Sequence, residues 1–175
     1  MPLRVAGRMK TLATIRGLVL VASLVCVACE HPIRDVPPAV RDELDRTVQS
    51  YFDAANRSDT TAIMDAVVHD SRVTSVANGA ITTGWEAIRD QVNRINAVPA
   101  DIHVTLSGQS QQFLLSPSVA LVVAPYTFAA RTPERSVTLH AATTLVFEKS
   151  GGKWRIVHEH NSAMPPDAQG DARHN

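Results

Sequence analysis

Two histidines separated by a single residue, His158 and His160, stand near the C-terminus in the segment GGKWRIVHEHNSAMPP, Gly151 to Pro166. Imidazole titrates near neutral pH, so two such rings on one face of a strand can take up and return a proton. Read as a strand, the segment places Trp154, Ile156, His158 and His160 on one face and Arg155, Val157, Glu159 and Asn161 on the other. The second set carries both charges, so the first set is expected to face the interior. The alternative role for the histidines is structural: hydrogen bonds to buried backbone or hydroxyl groups. The two rings can also reach one ion, but a metal site needs a third ligand, and no spaced histidine or acid is tied to them by sequence. Neither a metal nor a cofactor is expected.

Tyr51, Trp85 and Tyr126 are the other residues placed to line a pocket, with Arg131 beside them. Tyr51 falls on the apolar face of a helix and Trp85 opens another, positions where aromatics commonly serve as core. Cys26 and Cys29, the two cysteines of the chain, both fall near the N-terminus, so disulfides, thiol catalysis and cysteine-ligated zinc are excluded from the rest. The chain has 175 residues, with 17 Lys+Arg against 17 Asp+Glu. No basic stripe is visible, so a nucleic-acid partner has no electrostatic support.

The elements that must position these side chains follow from periodicity. Arg4, Arg8, Lys10 and Arg16 precede the uncharged run Gly17 to Ala28, which is too short to span a bilayer and reads as a secretory signal over residues 1–28. Val25-Cys26-Val27-Ala28-Cys29 resembles a bacterial lipobox, with Cys29 lipidated after cleavage; the alternative is an ordinary cut after Ala28. The protein is therefore expected to be exported, in the periplasm or lipid-anchored to the cell envelope, and to meet a membrane only through that anchor. Residues 29–37 read as a linker, 38–163 as one folded domain and 164–175 as a disordered tail.

Within the domain, Val40, Leu44, Val48, Tyr51, Phe52 and Ala55 recur at helical spacing after Pro37-Pro38. Asp59 is placed to cap a second, shorter helix through Ile63, Met64, Val67 and Val68. Arg72 to Val76 reads as a strand ending in an Asn78-Gly79 turn, and Gly84 leads into a third helix through Trp85, Ile88, Val92 and Ile95. Beyond Pro99 the period becomes extended. Strands are expected over Ile102–Leu106, Val119–Arg131, Arg135–Lys149 and Lys153–Ser162, with Pro125 marking a bulge or an edge. Helices followed by a meander of long antiparallel strands give an α+β fold.

The closing segment, with its Gly-Lys-Trp, apolar pair, His-x-His, serine and proline, resembles the end of SnoaL-like domains of the nuclear transport factor 2-like superfamily. It resembles especially the association domain of calcium/calmodulin-dependent kinases. The resemblance extends over about residues 38–166. It implies a cone-shaped roll: a bent antiparallel sheet closed by about three N-terminal helices, usually around a pocket. It further implies Tyr51, Trp85, Tyr126, Leu145, Trp154, His158 and His160 as pocket residues. Leu145 falls where the kinase hubs carry a cavity arginine, so a more apolar pocket is expected here. Isomerases of this fold use an acid in an apolar cavity, where burial raises its pKa; Asp70 is the candidate, although it also suits a cap or turn beside Ser71. Three functions follow from the resemblance: binding of a small, largely apolar molecule; an isomerase or hydro-lyase using His158, His160 or Asp70; or a non-catalytic oligomerisation module. A homodimer through the outer sheet face is the expected assembly.

Overall fold

The computed structural model describes residues 35–164. The signal, the lipidation site at Cys29, most of the linker and all but the first residue of the tail lie outside the described residues. Helix α1 (Pro38–Asn56) starts on Pro37-Pro38, whose fixed φ suits a first turn and whose missing N–H is not needed there. Its buried stripe, Leu44, Val48, Phe52 and Ala54, lies in the core. At its end the Asn56 amide imitates a strand partner. Asn56 Nδ2 donates to the Val104 carbonyl at 2.9 Å, and the Val104 N–H donates back to Asn56 Oδ1 at 2.7 Å.

Helix α2 (Thr60–Asp65) is capped as expected, with Asp59 Oδ1 accepting from the Ala62 N–H at 3.0 Å. It stops before Val67 and Val68, which the sequence places on its apolar face. Their backbone is committed elsewhere: the Val68 N–H donates to the Ile156 carbonyl and the Ile156 N–H to the Ala66 carbonyl, stitching this loop to the last strand. Strands β1 (Thr74–Ala77) and β2 (Ala80–Thr83) form a hairpin about Asn78 and Gly79, whose φ values of 50° and 85° are those of a type I′ turn. Helix α3 (Trp85–Asn96) follows Gly84, which sits at φ 94°.

The remaining strands are β3 (Asp101–Leu106), β4 (Gln111–Ser116), β5 (Val119–Arg131), β6 (Ser136–Ser150) and β7 (Lys153–Ala163). The sheet order is β2-β1-β7-β6-β5-β3, with β4 also pairing β5. Two expectations are corrected. The sheet is mixed rather than wholly antiparallel, because β1 lies parallel to β7, Thr74 opposite His158. The two strands are joined by most of the domain, so no hairpin fixes their relative direction. Pro125 lies on a central strand rather than on an edge. It sits where the neighbour of β5 changes from β4, paired over Val119–Val123, to β3, paired over Tyr126–Arg131. Its carbonyl accepts from the Ser107 N–H in the connection between them, so its missing N–H falls in a gap in the ladder.

Below the helices the inward residues of β5, β6 and β7 make a packed floor of Ala120, Val122, Leu145, Phe147, Trp154 and Ile156, all buried. Glu43 on α1 fastens it, accepting from the Trp154 indole at 3.0 Å and from Lys149 Nζ at 2.6 Å. The ammonium and indole donors hold the Glu43 carboxyl below its usual pKa.

Candidate functional site

The site is set by one extra residue in β7. Phe147 pairs with Ile156, but the next residue of β6, Val146, pairs with His158, leaving Val157 as a β-bulge. Strict alternation holds only up to that point. Trp154 and Ile156 point inward as expected; beyond the bulge Glu159 and Asn161 take the inner face, and His158 and His160 are turned to the outer one. The expectation that all four residues share the interior is therefore corrected, and the bulge is the reason.

Glu159 and Asn161 enter a cavity of about 420 Å³ between α1, α3 and the inner face of the sheet. Its walls are mainly apolar, with Phe52 and Ala55 from α1, Ile88 and Val92 from α3, and Val104 and Phe128 from the strands. Exposed Ile95, Asn78 and Ser58 mark its rim. The polar groups gather on one side. Tyr51 Oη donates towards both Glu159 carboxylate oxygens at 3.2 Å, and Ser75 Oγ donates to Glu159 Oε2 at 3.3 Å. Tyr126 Oη donates to Asn161 Oδ1 at 3.4 Å. Hydroxyl–oxygen bonds are ordinarily about 2.7–2.8 Å. These are long, so the carboxylate is loosely held and can take another donor. Burial and the adjacent Glu159 charge push the Tyr51 phenol well above its usual pKa, and the same two causes raise Tyr126.

The other expected site residues are placed as follows. Of the seven pocket candidates, Tyr51 and Tyr126 line the cavity. Leu145 and Trp154 lie in the packed floor. Trp85 is half-buried at the start of α3, its indole donating to the Met64 carbonyl at 3.4 Å, with the Arg89 guanidinium 5.4 Å and the His69 ring 4.4 Å from its ring. His158 Nδ1 pairs with Thr74 Oγ1 at 2.7 Å on the outer face, where His160 is exposed. Asp70 forms a turn and ion pair with Arg72, whose hydrogen bonds lower its pKa to about 2. Its backbone carbonyl accepts from the Trp85 N–H. Among the described residues no group of three or more His, Cys, Asp or Glu side chains is placed to hold a metal ion.

Residues 44–166, most of the domain just described, match the family of SnoaL-like domains. The chain belongs to this family. No curated protein matches it. Solved structures of the nuclear transport factor 2-like superfamily share its fold. A candidate dehydratase from Streptomyces avermitilis is 15% identical, with a TM-score of 0.67 over 74% of this chain and 99% of that one. A candidate calcium/calmodulin-dependent protein kinase II association domain from Xanthomonas campestris is 20% identical, with a TM-score of 0.62 over 77% and 96%. An uncharacterized protein with a cystatin-like fold from Caulobacter vibrioides is 23% identical, with a TM-score of 0.61 over 74% and 93%. At these identities the likeness establishes the fold alone.

The residues of this SnoaL-like domain that sequence reasoning missed are Glu159, Asn161 and Ser75. Glu159 was set aside because it alternates with two histidines on a strand read as regular. The signal that reveals it is the register of β7 against β6, which the sequence of β7 does not contain. Ser75 follows from the parallel pairing of β1 with β7, which puts it opposite Glu159.

Proposed function

We propose that this SnoaL-like domain binds a small, largely apolar molecule in the cavity above its packed floor. The observation that carries this reading is a cavity of about 420 Å³ whose walls are mainly hydrocarbon and whose polar groups converge from Tyr51, Ser75 and Glu159. Small-molecule sites have that size and that distribution of polarity. A second reading, an isomerase or hydro-lyase, is favoured by the same carboxylate. Glu159 beside a protonated phenol in an apolar cavity is suited to take a proton from a bound substrate, while the Tyr51 O–H donates to the negative charge left on the substrate. In that reading the proton carrier is Glu159 rather than His158, His160 or Asp70. The name of the Streptomyces neighbour agrees with it.

Export by the N-terminal signal, with Cys29 as lipid acceptor, belongs to the same proposal and is supported by the sequence of residues 1–29. So does a homodimer through the outer sheet face, where Leu121 and Val146 pair in a half-buried apolar row beside His158. Native mass spectrometry of the protein purified from its own host tests the set. A retained small molecule supports a binding pocket, a dimer mass supports the interface, and a lipid-sized increment on Cys29 supports the anchor. An empty ring larger than a dimer would instead favour an oligomerisation module.

A further inference from the structure

The cavity wall carries one charge and nothing on the wall balances it. Glu159 is the sole carboxylate among the described lining residues, and no lysine, arginine or histidine lines the cavity with it. Nor does any described cation lie within ion-pair distance of it. A partly buried carboxylate without a counter-charge is costly, and the cost falls when a cation arrives. We propose that the cavity is built for an amine: a protonated nitrogen against Glu159, with an apolar body along Phe52, Tyr126 and the aliphatic wall.

The hydrogen-bond accounting points the same way. A carboxylate offers about four acceptor positions, and an ammonium group brings three donors. Glu159 receives only the Tyr51 and Ser75 hydroxyl protons, both over long distances. The hydroxyls of Tyr51, Ser75 and Tyr126 are thus already directed at acceptors of the wall. The rings suit the ligand body: Phe52 and Tyr126 meet edge to face at 5.6 Å on the cavity wall. A carboxylate ligand would meet repulsion from Glu159 across a low-dielectric space.

The proposal rests on the cavity being a ligand site, and one titration series separates the two claims. The full chain is titrated calorimetrically at neutral pH with 2-phenylethylamine, 2-phenylethanol and phenylacetate, which share a ring and differ in charge. The expected order is amine tighter than alcohol by roughly tenfold, with the acid weakest. Glu159→Gln should bring the amine down to the alcohol, and Ala141→Phe, which fills the cavity from β6, should remove all binding. The wild-type order needs no variant, so a misfolded substitution cannot hide the answer. Equal binding of alcohol and amine overturns the amine proposal and leaves the ligand site standing. Binding of none of the three overturns both.

Discussion

The phenol of Tyr51 keeps its proton for two separable reasons, burial first and the Glu159 carboxylate second. Tyr51 and Tyr126 are the two tyrosines of the chain, so ultraviolet absorbance reads them without interference from others. Both should ionise above the ordinary value near 10, Tyr51 last. Glu159→Gln removes the charge and leaves the burial, so both titrations should move down while Tyr51 stays above 10. A titration unchanged by the substitution would mean that the carboxylate does not face the phenol. The sign of the stability effect follows. A folded-state pKa raised above the unfolded one contributes stability that is complete below about pH 10 and is lost as pH rises through the folded value. Unfolding free energy should therefore fall on the alkaline side, less steeply in Tyr51→Phe than in the native chain.

Among the elements, the joint between α1 and β3 depends on a single side chain. Asn56 makes a reciprocal pair of hydrogen bonds with the backbone of Val104, doing for the helix end what a neighbouring strand does in a ladder. Asn56→Ala leaves a half-buried N–H and carbonyl unpaired, and urea denaturation should show a loss of about 2 kcal/mol with little change in slope. A loss within experimental error would show that water replaces the amide. The helices themselves were legible because 3.6-residue spacing, the Asp59 cap and the Asn78-Gly79 turn are local signals. So were the long strands, although β4, whose Gln111-Gln112 start lacks alternation, was not. What stayed hidden was non-local. The parallel seat of β1 on β7, the gap at Pro125 and the bulge at Val157 each depend on which strand lies alongside. The bulge mattered most, since it exchanges the histidines for Glu159 and Asn161 at the inner face. Tyr51 was legible as a cavity residue from its helical stripe, and Tyr126 because the pairing of β5 with β6 runs through it without a shift.

Taken whole, the domain divides along its inner face into a packed floor and an open chamber, and β6 crosses the boundary. Phe147 and Leu145 are fully buried in the core, whereas Ala141 and Leu139, farther back along the same face, border the cavity. At residue 141 the small alanine leaves room that the leucine at 145 fills in the floor. Leu145→Ala should open a void where none exists and cost about 2–5 kcal/mol. Ala141→Phe should do the reverse. It places hydrocarbon in existing space, so stability should hold or rise by up to about 1 kcal/mol while binding of any cavity ligand is lost. Denaturation and amine titration on the same two variants give the test. If Ala141→Phe destabilises the fold as strongly as Leu145→Ala, the chamber is a closed part of the core and its polar cluster is structural. If stability is kept and binding disappears, the empty half of the cone is there for a ligand, because a protein under selection for stability alone would have filled it.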